Sequence, residues 1–280
     1  MSRDLLKGML SERAPDHPAR AGASLLLIAH GSSKSEGSSR PTRDLADELR
    51  RRRIFGEVAA AFWKEGPRPR QVLASLKSAQ VYIVPNLISE GYFTRTVFPR
   101  ELGIDGAITE KEGRRLFYCR PVGSHPSMTP LICHRALTAL GQAGGAPGAS
   151  LVIVGHGTAK EPNSAAAIHG QADAIRRLGL FAEVHASFLE QEPFISRWRE
   201  LTRCRDLAVV PFFISNGPHC LEDIPEQLGL RIDPPLDESL SVSGPHQIDD
   251  RRLWYTGAIG TEPHMADVVL DLIDDLGPET

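Results

Sequence analysis

The sequence predicts an α/β protein made of two similar halves, each a doubly wound, parallel sheet. Three observations carry that expectation. Short apolar strand signals alternate with helical patterns. The whole pattern occurs twice. A Gly- and Pro-rich stretch, GQAGGAPGA from Gly141 to Ala149, separates the two copies.

The duplication is read residue by residue. Ser24-LLLIAHGSSK parallels Ser150-LVIVGHGTAK, with His30 and His156 126 residues apart. The same spacing relates Phe62 to Phe188, Pro85 to Pro211, Ser89 to Ser215, Gly91 to Gly217, Pro99 to Pro225 and Gly103 to Gly229. Gly123, Pro126 and Met128 match Gly260, Pro263 and Met265 at a spacing of 137, so the second copy carries an insertion around 231–246. The organisation expected is a leader over 1–23, a first half over 24–143 and a second half over 150–277.

Each half shows four strand signals. The first, Leu25–Ala29 or Leu151–Val154, is a short apolar run suited to a strand buried on both faces. A helical pattern follows at Pro41–Arg52 or Ala165–Gly179. The Arg50–Arg53 run closes the first of these, where cations favour the helix dipole, and reads as a solvated face. Next come strands GEVAAAF and AEVHASF, helices near Pro69–Lys77 and Pro193–Cys204, and strands VYIVPN and LAVVPF. A helix then starts near Thr94 or Cys220, and FYCRPVG and WYTGAIG close the halves.

Composition removes several function classes. A net charge of −3 lacks the basic excess of a nucleic-acid binder. No apolar run approaches the roughly 20 residues that span a bilayer. The opening MSRDLLKGMLSERAPDHPAR mixes both charge signs without an apolar core, unlike a secretory signal. The four cysteines, Cys119, Cys133, Cys204 and Cys220, form no CxxC pair, and Cys220 reads as a small buried hydrophobe. A cytoplasmic location is expected.

The chemistry concentrates at strand ends of the second half. His156 follows the first strand, Glu190 follows the second, and His219 lies past the third. Doubly wound sheets bind ligands outside the carboxyl ends of their strands. Two imidazoles and a carboxylate form a borderline-soft ligand set suited to Zn, Co, Fe or Ni, with positions left open.

AHGS and GHGT after the first strand, FLE after the second, and PFFISNGPHCLEDIP resemble the class II tetrapyrrole chelatases of the CbiX/SirB type, which act as sirohydrochlorin cobaltochelatases and ferrochelatases. The resemblance covers nearly the whole chain after the leader. It implies two α/β halves facing a central cleft, and insertion of Co²⁺ or Fe²⁺ into sirohydrochlorin or a related tetrapyrrole. It implies no cofactor beyond that divalent metal substrate, no nucleic acid, no membrane, and a monomer or homodimer. His156 and His219 then serve as metal ligands and proton acceptors, and Glu190 as ligand or proton relay. The alternative reading is a non-catalytic metal or tetrapyrrole carrier. A metallohydrolase would need more carboxylates near the HG motifs than Glu161 and Glu192.

The first half departs from the pattern. Lys64 stands where Glu190 would be, and Phe93 where His219 would be. His30 alone is a relic, a substrate contact or a buried hydrogen-bonded residue. The first-half loops offer Lys34, Arg40, Lys64, Arg68, Arg95 and Arg100 for the substrate carboxylates, with Tyr92 and Phe93 for its flat face. The other histidines, His125, His134, His169, His185, His246 and His264, read as structural or surface residues.

Overall fold

The computed structural model describes residues 20–33, 36–142, 145–158, 162–232 and 235–276. The first sequence half runs β1 (Arg20–Ala29), α1 (Arg40–Arg52), β2 (Phe55–Phe62), α2 (Pro69–Ser75) and β3 (Gln80–Pro85). A π-helical turn, Phe93–Val97, leads into α3 (Phe98–Leu102), followed by β4 (Ile108–Lys111), β5 (Arg114–Tyr118) and α4 (Met128–Ala139). The second half repeats this order: β6 (Ala146–Gly155), α5 (Pro162–Leu178), β7 (Phe181–Phe188), α6 (Trp198–Leu201) and β8 (Asp206–Pro211). Then come a π-helical turn at His219–Asp223, α7 (Ile224–Leu228), β9 (Val242–Ile248), β10 (Arg251–Thr256) and α8 (Met265–Asp274).

Two five-stranded sheets result, ordered β2-β1-β3-β5-β4 and β7-β6-β8-β10-β9. Within each, four strands are parallel and the hairpin partner at the edge is antiparallel. The central strands carry the core: Leu25–Ile28 and Leu151–Val154 are essentially inaccessible to solvent. That is the behaviour of apolar runs covered on both faces by helices.

The structure corrects the sequence reading in three places. β1 and β6 begin earlier than expected, at Arg20 inside the expected leader and at Ala146 inside the expected linker, each set off from the rest of its strand by a register shift. The edge strands β4 and β9 were not foreseen. β4 exposes most of its short length, so it lacks the alternation that betrays a half-buried strand. The helices α4 and α8 were also missed. α4 is buried around most of its circumference, which erases the one-sided periodicity of a surface helix.

Those two helices redraw the domains. Met128–Glu262 gather into one compact unit, and the described residues of Pro15–Ser127 and Pro263–Thr280 form the other. Thus α4 follows the first sheet in the chain and packs on β8, β10 and α5 of the second. α8 follows the second sheet and packs against α1 of the first. Ion pairs hold both, buried for α4 and part-buried for α8. Arg135 of α4 donates to Glu262 at 3.0 Å and to the Gly257 carbonyl at 3.2 Å. Asp274, at the end of α8, accepts from Arg20 at 2.7 Å, and Asp267 accepts from Arg52. The boundaries at 143 and 277 therefore follow the sequence repeat, not the packing.

The insertion in the second half also acquires a role. Leu236 and Leu240 join the apolar cluster around Tyr255, Ile224 and Leu228. Asn216 fastens the segment by donating to the Glu238 and Leu240 carbonyls at 3.1 and 2.9 Å.

Candidate metal centre

β6 lies between β7 and β8, so the chain leaves it in opposite directions to reach its two neighbours. This is the switch point at which doubly wound sheets open a crevice beyond their carboxyl ends. His156 stands one residue past β6, Glu190 two residues past β7, and His219 at the start of the π-helical turn beyond β8.

Local backbone chemistry aims the first two. Gly157 has φ of +67°, which L side chains rarely adopt, and a Cβ there would lie 2.6 Å from both Phe188 Cβ and Gln191 Cγ. Only glycine lets the chain turn so tightly after His156. The His156 carbonyl accepts from the amides of Leu189 and Glu190 at 3.1 and 3.0 Å. The ends of β6 and β7 are thereby tied together, with the imidazole and the carboxylate side by side.

His156 is brought beside each of the other two expected residues. The His156 and His219 rings are 4.8 Å apart, edge to face at 87°. Glu190 Oε2 lies 3.6 Å from His156 Nδ1, within electrostatic reach but beyond a good hydrogen bond. All three are partly open to solvent: their side chains are 37%, 58% and 43% exposed for His156, Glu190 and His219. Phe213 lies beside His219, ring centres 5.8 Å apart. His156 Nδ1 donates to the Gly157 carbonyl at 3.1 Å. Since a carbonyl only accepts, the proton sits on Nδ1 and the Nε2 lone pair is available to a cation. Among the described residues no group of three or more His, Cys, Asp or Glu side chains is placed to hold a metal ion. The geometry gives a pair of imidazoles with a carboxylate beside one of them.

One contact was missing from the sequence reading. Asp223 Oδ2 lies 2.5 Å from His219 Nδ1. The sequence held only a His and an Asp four residues apart, a spacing that brings side chains together on one helical face once the helix is known.

The first half preserves the scaffold and alters the chemistry. The His30 and Phe93 rings are 4.8 Å apart at 88°, the geometry of His156 with His219. The Lys64 amide donates to the His30 carbonyl at 2.8 Å, as Glu190 does to His156. Phenyl replaces imidazole and ammonium replaces carboxylate. Burial, and then the Lys64 charge, hold His30 below its ordinary pKa. A half-buried imidazole kept neutral beside a cation is a poor place for a second cation.

The residues offered for substrate contact divide. Tyr92 is 56% exposed. Phe93 packs among His30, Trp63, Tyr92 and Phe98. Arg95 pairs with Glu90 at 2.6 Å, Arg40 with Asp44 at 3.7 Å, and Arg68 donates to the Trp63 carbonyl. Lys34 and Glu161 lie outside the described residues. Most of the remaining histidines have polar partners: His125 with Asp275, His134 with Glu262, His185 with Glu183, His264 with Asp267 and His246 with Ser243. His169 packs on Phe188. Burial pushes the Cys220 thiol up to about 12, in keeping with a small apolar group. No described helix is long and apolar enough to cross a membrane.

Known proteins share this organisation. A probable sirohydrochlorin cobaltochelatase of Halobacterium salinarum is 41% identical over 270 residues, covering 90% of this chain and 91% of that protein. The sirohydrochlorin cobaltochelatase of Methanopyrus kandleri is 29% identical over 144 residues, 46% of this chain and 99% of its own length. A multi-domain protein of Deinococcus radiodurans, described as structurally similar to chelatases, superposes with a TM-score of 0.76 at 30% identity over 91% of this chain. The chain spans 55% of that protein's length. The CbiX family pattern matches residues 24–139 and again 150–276. The chain, with one family unit in each sequence half, belongs to the CbiX family.

Proposed function

We propose that the protein is a metal chelatase that inserts Co²⁺ or Fe²⁺ into sirohydrochlorin, with His156, Glu190 and His219 as its working residues. The observation that carries this reading is the pair of imidazoles 4.8 Å apart at adjacent strand ends, with a carboxylate beside one of them. Metallation exchanges two pyrrole N–H protons for one M²⁺. The protein must hold the ion without satisfying it, pass it to the macrocycle and accept protons. Two imidazoles supply a borderline-soft grip, and the carboxylate takes up a proton or helps strip water from the ion. The ring nitrogens of the tetrapyrrole complete the coordination that the protein leaves open.

In this reading the enzyme needs no cofactor beyond its metal substrate. It works in the cytoplasm as a monomer or homodimer, and its four cysteines are free thiols. The first half, with His30, Lys64, Tyr92, Phe93 and Arg95, has exchanged metal chemistry for contacts with the macrocycle and its carboxylates.

The test is anaerobic metal insertion followed by the absorbance change of sirohydrochlorin, with Co²⁺ and Fe²⁺ in turn. Wild-type protein should turn over many times. His156→Ala and His219→Ala should each lose about 10²–10⁴ in rate, the range expected for a positioned proton acceptor. Binding without turnover would favour the carrier.

A further inference from the structure

We propose that Asp223 is the positioning residue of the metal centre: it holds His219 as the Nδ1–H tautomer with Nε2 presented to the ion. The inference rests on the chelatase reading for its kinetic consequence, but its structural content stands on the His219 contact alone.

Asp223 ends the π-helical turn with helical φ and ψ of −64° and −47° and runs straight on into α7. Its side chain makes no hydrogen bond to the backbone at the start of α7. Its carboxylate turns back one turn and meets His219 Nδ1 at 2.5 Å. A carboxylate accepts hydrogen bonds and does not donate them, so the imidazole proton is fixed on Nδ1 and the lone pair on Nε2. The two histidines of the centre are thus held in the same tautomer by different acceptors, a neutral carbonyl for His156 and an anion for His219. The anion also strengthens donation from the ring to a cation.

The sister half supplies an internal control. The counterpart of Asp223 at the 126-residue spacing is Val97, which is 3% exposed and packs in the apolar core with Phe98. The half that carries Phe93 in place of the histidine carries Val97 in place of the aspartate. The helix scaffold around them is kept: Pro99 and Pro225 enter the helices, and Gly103 and Gly229 end them in left-handed conformations. Were Asp223 a helix-building residue, the first half would need it as much as the second. Its loss together with the imidazole ties it to the imidazole.

The experiment has two readouts. Long-range ¹H–¹⁵N NMR of the metal-free protein reports the tautomer of His219. Wild type should show Nδ1–H, and Asp223→Ala a mixture weighted toward Nε2–H. Asp223→Asn keeps an acceptor oxygen and should largely retain Nδ1–H. In the insertion assay, Asp223→Ala should lower kcat/KM for Co²⁺ by about 10–100-fold, the usual cost of removing such a partner. The loss should fall mainly on KM for the metal, with Asp223→Asn intermediate and the melting temperature nearly unchanged for both. Nε2–H in the wild type, or an Asp223→Asn protein with neither tautomer nor KM changed relative to Asp223→Ala, would overturn the assignment. If His219→Ala also leaves insertion unchanged, the chelatase reading itself fails. If His219→Ala abolishes insertion while Asp223→Ala does not, only the role of Asp223 is lost.

Discussion

At the scale of single residues, the account depends on a glycine as much as on the histidines. The left-handed turn at Gly157 puts the His156 imidazole at the mouth of β6, and Phe188 and Gln191 leave no room for a Cβ. Gly157→Ala should therefore cost at least about 1–2 kcal/mol, the penalty of the left-handed conformation alone, read by denaturant unfolding. It should also slow insertion by misaligning His156, since small displacements of a reacting group cost large factors in rate. An alanine variant of full stability and activity would contradict that geometry. The equivalent Gly31 has the same φ, +66°, beside an imidazole that has lost its partners. The turn belongs to the fold, and the chemistry was changed around it. The placing of His156 beside Glu190 and His219 was legible from the sequence because each residue follows its own strand signal. Asp223 was not, because a single His–Asp spacing says nothing until the π-helical turn brings the two side chains within hydrogen-bonding distance.

At the scale of elements, the exchanged helices explain both a strength and a failure of the sequence reading. The strands β1 and β6 stood out as apolar runs, and α1 and α5 as amphipathic patterns. α4 escaped notice because it shows apolar side chains on nearly every face, and the arginine among them is paired inside the core. Arg135 and Glu262 expose only 6% and 7% of their side chains. Burial pushes the Glu262 carboxyl up, but the His134 hydrogen bond and the Arg135 charge more than offset it, leaving the group below its ordinary range. Glu262→Ala strands the Arg135 guanidinium, and removing one partner of a buried pair costs about 3–5 kcal/mol. Equilibrium unfolding should show that loss at neutral pH. The sign with pH follows from the depressed carboxyl. Its contribution is present above the unfolded carboxylate value and disappears as the pH falls through the folded one. Wild type and Glu262→Ala should therefore converge in stability in acid; a constant gap across that range would count against the pair. The edge strands β4 and β9 were illegible for a different reason. They are short or exposed, and their pairing with β5 and β10 is fixed by turns and by the insertion, not by an alternating pattern of their own.

At the scale of the whole molecule, the chain is a duplication in which one copy carries the proposed metal-binding residues His156, Glu190 and His219 and the other keeps only the frame around them. The ring pair His30–Phe93 reproduces the distance and angle of His156–His219 while offering one imidazole in place of two. The repeat was readable because strand ends and turn glycines recur at one spacing. The compact units were not, because the exchange of α4 and α8 leaves no mark on local sequence. The asymmetry between the copies is the central claim, and cobalt stoichiometry tests it most directly. Titration of the purified protein with Co²⁺, followed by the d–d absorption of the bound ion, should give one specific site per chain. That site should vanish in the His156→Ala, His219→Ala double variant and persist in His30→Ala. Two equivalent sites per chain, or one site that survives the double variant and disappears with His30, would contradict the account.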